Sequence, residues 1–179
     1  MQRYIDHTNL QIYSGDRHTV RDPVLQSDAP EPRDLYTPTI VDGLHTGWEL
    51  ISDWQARAAE RISQIANDRL QQPVSAMSVP LRPDERTSAL LHSRRRRAAK
   101  SGGPVTVPGE GGRKAMDAAE IDTTIDTLDS YIDAVIERSN ALHSRVESGD
   151  ESVVSELQTI ADGSWDPADG WPDPEHDGG

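Results

Sequence analysis

Cysteine and phenylalanine are both missing from this chain, and lysine occurs only twice. Without cysteine there is no disulfide framework, no thiolate nucleophile and no cysteine-ligated zinc. Hydrophobic residues make up 34% of the sequence, less than in a usual globular domain, so the expected core is small for 179 residues. Long apolar runs are missing too. No stretch approaches the roughly 20 residues that span a bilayer, and the N-terminus carries no apolar signal core. The expectation is a protein made and kept in the cytoplasm, with no membrane partner.

What the chain does have is charge, unevenly placed. Residues 1–112 carry 14 acidic and 14 basic side chains, and residues 113–179 carry 17 and 4, so the C-terminal part holds the whole net charge of −13. A polyphosphate would be repelled there, which argues against nucleic acid as a partner. A basic protein surface would be attracted.

Apolar periodicity singles out Asp117–Val146. Ile121, Leu128, Val135 and Leu142 form one heptad series; Ile125, Ile132 and Val146 form a second, with Ser139 in its polar slot. That coiled-coil-like spacing lays one helix along another at a shallow angle. Asp117 followed three residues later by Glu120 reads as a capping box. Asp122, Asp126, Asp129, Asp133 and Glu137 fall largely off the seam and are expected to face water.

Elsewhere the signals are shorter. Ser52 or Asp53 caps a predicted helix running to about Gln72, where Pro73 stops it. Asp84 opens another, with Arg94, Arg95, Arg96 and Arg97 at its end, where a basic turn suits the negative pole of a helix, and Ser101-Gly102-Gly103-Pro104 stops it. Residues 73–83 read as a proline-pinned linker, Val105–Val107 as a short strand, and Pro108–Gly112 as a flexible joint before the long helix. Asp150 caps a short helix with Val153, Val154, Leu157 and Ile160 on one face, closed by Gly163. Near the N-terminus, Tyr4-Ile5 and Leu10, Ile12, Tyr13 suggest a hairpin, residues 21–38 an irregular connector, and Thr39–Val41 with Trp48–Ile51 a second strand pair. The fold class expected is mainly α: a small helical domain with a long C-terminal helix and a minor N-terminal β-hairpin region. Its parts are a β and irregular region at 1–51, a helical segment at 52–100, a Gly/Pro linker at 101–116, a helical assembly domain at 117–162 and a flexible, disordered acidic tail at 163–179.

Chemistry-bearing motifs are few. The glycine-rich GGPVTVPGEGG matches neither a dinucleotide nor a P-loop fingerprint. The six histidines are scattered without HExxH, and no GxSxG supports a catalytic triad. Asp166, Asp169, Asp173 and Asp177 recur at the end, but Pro167, Pro172 and Pro174 break an EF-hand layout. No enzyme, metal or cofactor is expected. The arginine run lacks interleaved aromatics and reads as a solvated helix end or a dock for the acidic helix. Trp165 and Trp171 are the large apolar groups of the tail, suited either to anchoring a partner or to docking on the chain's own body.

The stretch LHSRRRRAAKSGGPVTV (Leu91–Val107), the helix AMDAAEIDTTIDTLDSYIDAVIERSNALHSRV and the GWP at Gly170–Pro172 together resemble a phage tail-fibre-assembly-like family with a helical C-terminal domain. The match spans roughly residues 91–172. Relatives in that family look alike in an Arg-rich helix end, a Gly-Gly turn into a β-like VTV, and a helix carrying YIDAV. The resemblance implies a bacteriophage accessory or chaperone protein of tail or tail-fibre assembly, acting by protein-protein interaction in the host cytoplasm. The alternative it leaves is a structural virion component, an adaptor subunit of the tail or fibre. The implied partner is a phage tail or tail-fibre protein, with homo-oligomerisation optional. The residues expected to carry interaction are Ile121, Ile125, Leu128, Ile132, Val135, Leu142, Val146, Trp165 and Trp171, with Arg94–Arg97 as a basic patch.

Overall fold

The structure, a computed structural model, describes residues 3–6, 11–14, 24–25, 33–41, 44–157 and 170–174. They form a small mixed α/β domain, mostly helical, with a short N-terminal β-hairpin. That hairpin pairs β1 (Arg3–Asp6) with β2 (Gln11–Ser14), placing Tyr4 opposite Tyr13. β3 (Val24–Leu25) joins β1 and also runs parallel to β5 (Leu44–Leu50), which pairs antiparallel with β4 (Tyr36–Val41). The sheet order is β2-β1-β3-β5-β4. The connector expected over 21–38 therefore contributes a strand, a turn of 3-10 helix at Arg33–Leu35 and the start of β4.

Three helices make the body. α1 spans Trp54–Gln71, α2 Glu85–Ser101 and α3 Ala118–Glu147, each within a residue or two of its expected limits. Two of the three start signals act as expected; at α1, Asp53 holds the cap position but makes no side-chain cap bond, its carboxylate pairing with Arg57 at 3.0 Å instead. Asp84 Oδ1 accepts the Thr87 N–H at 2.7 Å. At α3, Asp117 Oδ1 accepts the Glu120 N–H and Glu120 Oε2 accepts the Asp117 N–H, both at 2.9 Å, closing a full capping box.

α1 runs antiparallel to α3. Gln55 Nε2 donates to the Val146 carbonyl near one end at 2.8 Å, and the Tyr131 hydroxyl donates to the Arg69 carbonyl at 3.1 Å further along. α2 lies on another flank, where Arg95 Nε donates to Asp122 Oδ1 at 2.7 Å. The core is filled by Ile62 and Ile65 from α1, Leu91 and Ala98 from α2, and the inner row of α3. Each fully buried aliphatic side chain of this kind contributes about 1.5–3 kcal/mol by leaving water.

That inner row differs from the expected seam in one respect. Ile121, Leu128, Val135 and Leu142 are buried, but the companion row is Thr124 and Tyr131, with Arg138 next in the same spacing. Ile125 and Ile132 are only half-buried at the rim, while Val146 rejoins the core at the last turn. Thr124 and Tyr131 tolerate burial because their hydroxyls donate to the carbonyls of Glu120, at 2.8 Å, and Arg69. A pattern read from aliphatic residues passes over both.

Two stretches expected as linkers are hairpins, the second containing the short strand expected at Val105–Val107 and a partner strand that was not. Within 73–83, β6 (Val74–Ala76) pairs with β7 (Val79–Leu81). Within 101–116, β8 (Val105–Gly109) pairs with β9 (Gly112–Met116). The hairpins brace each other. The Glu110 N–H donates to the Pro80 carbonyl at 2.8 Å, Lys114 Nζ to the Met77 carbonyl at 2.7 Å, and Arg82 pairs with Glu110. Gly109 is required by that approach, since a Cβ there would meet Val79 Cγ1 at 2.2 Å and the Pro80 carbonyl oxygen at 2.7 Å. Val74, Val79, Leu81, Val107 and Met116 close one side of the core.

The β6–β7 turn is carried by Met77 and Ser78, both at positive φ, 51° and 62°. A type I′ turn needs that conformation and favours Asn-Gly, so the sequence hides this hairpin. L-residues in the left-handed region cost about 1–2 kcal/mol each. Ser78 is exposed, so its replacement alters the backbone preference with little change in burial. Ser78→Gly is expected to raise unfolding stability by about 0.5 kcal/mol once the added unfolded-state entropy is subtracted. Ser78→Val is expected to lower it by more than about 1 kcal/mol. Urea unfolding of both variants checks the pair.

Candidate interaction site

Past α3, the chain turns at Asp150 into α4 (Val153–Glu156), whose Val153 and Val154, with Leu157, are buried. Asp150 sits two residues before the first helical turn's cap at Ser152 and organises the approach. Its carboxylate accepts the Ser152 N–H at 3.0 Å, the Ser152 hydroxyl at 2.5 Å and Arg145 Nε at 2.8 Å. These bonds hold the Asp150 pKa down to about 2, the Ser152 hydroxyl and Arg145 first among the causes. Arg145 and Arg138 both pair with Glu156 at 2.7 Å, fixing α4 on the end of α3. Ile160 and Gly163 lie outside the described residues.

Part of the expected flexible tail belongs to the body. Gly170–Pro174 forms a strap: Trp171 is only 4% exposed, in the same core cluster as Tyr131 and Val135, and the Ser75 N–H donates to the Pro174 carbonyl at 2.8 Å. Asp173 comes close enough to Tyr131 for its charge to raise the phenol pKa, secondary to burial and opposed by Arg69. Gly170 has φ +72°, and a Cβ on it would meet the Arg138 guanidinium at 3.1 Å. The GWP sequence is thus a backbone bend with an anchor and a stop. Trp171, named above as an interaction residue, faces inward; Trp165 lies outside the described residues.

The seam residues named for interaction are likewise used within the chain. Ile121, Leu128, Val135, Leu142 and Val146 are buried against this chain's own elements, with Ile125 and Ile132 along the rim. What α3 leaves outside is a face of exposed Asp126, Asp129, Asp133 and Glu137, bordered by Ile136 at 46% exposure. In the basic patch, Arg95 is tied to Asp122, Arg94 is half-buried, and Arg96 and Arg97 are exposed. The arginine run thus docks in part on the acidic helix.

One polar pair invites a catalytic reading. Ser63 Oγ lies 3.2 Å from His143 Nε2 and also within hydrogen-bond reach of the Ala59 carbonyl at 3.0 Å, so the hydroxyl has a backbone acceptor as well as the imidazole. Among the described residues, no group of three or more His, Asp or Glu is placed to hold a metal ion, and no helix is long and apolar enough to cross a membrane.

Described residues line two surface depressions of note. One, of about 330 Å³, is lined by Asp34, Arg57, Glu60, Arg61 and Gln64, and its charges partly satisfy one another through the Arg61–Asp34 pair at 3.2 Å. The other, of about 600 Å³, gathers Tyr36, Trp48 and Trp54 with Glu49 and Glu151. The sequence reading missed it, although two tryptophans within 48–54 were its available signal. No protein-family model, no curated protein and no solved structure matches the chain.

Trp171→Ala is expected to lower unfolding stability by about 3–5 kcal/mol and Gly170→Ala by about 1–2 kcal/mol. Denaturant melts of the two variants check whether the strap is part of the fold.

The Asp150 carboxylate predicts a pH dependence. Its folded pKa is depressed, so its contribution is complete above the ordinary aspartate value near pH 4 and fades as pH falls toward about 2. The stability gap between the natural chain and Asp150→Asn should therefore narrow between about pH 4 and pH 2 and stay level above it. Paired urea titrations at each pH read that gap directly.

Proposed function

We propose that this chain is a non-enzymatic protein-interaction factor of bacteriophage tail or tail-fibre assembly. The observation that carries the interaction reading is the division of α3. One side closes the core, and the other presents Asp126, Asp129, Asp133 and Glu137 beside the exposed Ile136. An apolar residue at the edge of an acidic face suits a basic protein surface with a small hydrophobic contact, and the excess negative charge would speed encounter with it. The assignment of that partner as a tail or tail-fibre protein comes from the resemblance over roughly residues 91–172. Support for treating those segments as one unit is their mutual contact: Leu91, Val107, Met116, the inner row of α3 and Trp171 share one core. On this reading the chain acts as an assembly accessory or chaperone in the host cytoplasm.

The test is co-purification from cells producing the phage that encodes the chain, paired with mass spectrometry of purified particles. The proposal expects a tail or tail-fibre protein to be captured by the natural chain. It expects Asp129→Lys with Asp133→Lys to reduce capture at least about tenfold at low salt, with unchanged circular dichroism. Absence from mature particles marks an accessory; a fixed copy number there marks the structural-subunit alternative. Capture of no tail component, together with absence from particles, contradicts both.

A further inference from the structure

The larger cleft is built from three separate parts of the chain. Tyr36 opens β4 opposite Leu50, and Trp48 is two residues from Leu50 on β5, so the two aromatic residues share a face of the ladder. Trp54 begins α1 directly after the strand, its N–H donating to the Ile51 carbonyl at 3.1 Å. Glu151 arrives from the turn after α3, whereas Glu49, between Trp48 and Leu50 on β5, alternates to the opposite face of the ladder and lines the cleft without turning its carboxylate into it. Burial and the nearby Glu151 charge both raise the Tyr36 pKa, burial being the larger, so the field at the phenol is negative. None of the described residues lining the cleft is basic.

We infer that this cleft is a receptor for an arginine side chain of a partner protein. Aromatic faces attract cations through their quadrupole, and a planar guanidinium stacks on them while its N–H groups remain free to reach a carboxylate at the edge. Glu151 supplies that acceptor. A lysine ammonium offers a compact, strongly hydrated charge without a stacking plane and fits less well. An anion is opposed by the Glu151 carboxylate, and a neutral apolar group would leave it desolvated without return. The smaller depression lacks this character, because Arg57 and Arg61 already balance its acids. The inference rests on these lining residues alone and holds whichever protein supplies the arginine.

The test uses the full chain labelled with ¹⁵N, reading the indole N–H signals of Trp48 and Trp54, assigned through Trp48→Phe and Trp54→Phe. The probes are the N-acetyl, N-methylamide derivatives of arginine, lysine and citrulline. Arginine is expected to move both indole signals saturably, lysine to bind more weakly, and citrulline, neutral with the same outline, to leave them in place. Glu151→Gln should weaken arginine binding about fivefold, while Glu49→Gln, on the opposite face of the ladder, should change it less than about twofold. Both residues are exposed, and unchanged signals elsewhere confirm the fold. Equal movement by citrulline overturns the cationic assignment, and lysine binding as tightly as arginine overturns the stacking argument. Arginine shifts confined to the amides of Asp126–Asp133, with the cleft indoles unmoved, reduce the effect to general charge attraction and overturn the site.

Discussion

The structure depends on closing one side of α3. A helix of 30 residues cannot keep a continuous apolar row in water, and here Ile121, Leu128, Val135 and Leu142 must be covered along most of its length. α1 covers part of the row, α2 another, and the β6–β7 and β8–β9 hairpins fill the end that two helices leave open. Trp171 is brought back from the far end of the chain to complete the seal. With few large apolar residues available, each of these elements is needed, which is why short hairpins and a strap occupy places where a larger protein would use more helix.

The helices were legible because their signals are local. Asp53, Asp84 and Asp117 before the first turns and Gly102 after α2 mark ends that the structure reproduces closely. The hairpins were not. Glycines and prolines in 101–116 read as a joint because the use made of Gly109, contact with Val79 and Pro80, is long-range. Met77 and Ser78 give no turn signature at all while occupying the backbone conformation of one. The companion row of the seam was misread for a related reason: Thr124 and Tyr131 are polar letters whose hydroxyls are satisfied in place. For the same reason the two reserved roles of Trp171, partner anchor or internal dock, could be separated only by its surroundings.

Burial of the seam also determines which surfaces are left for partners. Residues that looked like a docking stripe are spent within the chain, so interaction falls to what the fold leaves outside: the acidic back of α3 and the aromatic cleft beside its C-terminal turn. Both are negative, and they are built from different elements, α3 alone in one case and β4, β5, α1 and the Glu151 turn in the other. A basic partner could be drawn by the first and oriented by the second, since broad charge speeds encounter while a shaped pocket selects geometry. The ion pairs of Arg138 and Arg145 with Glu156 and Asp150 hold the Glu151 turn between α3 and α4, linking the rigidity of the helix end to the shape of the cleft.

The central claim is that the seam of α3 is closed by this chain and no other. Native-state hydrogen exchange followed at several protein concentrations tests it most directly. The account predicts that the amides from Thr124 to Leu142 and the Ser75 N–H, bonded to the Pro174 carbonyl, open only with global unfolding and at rates independent of concentration. Protection of α3 that rises with protein concentration, or a Ser75 amide that exchanges freely while α3 stays protected, would contradict it.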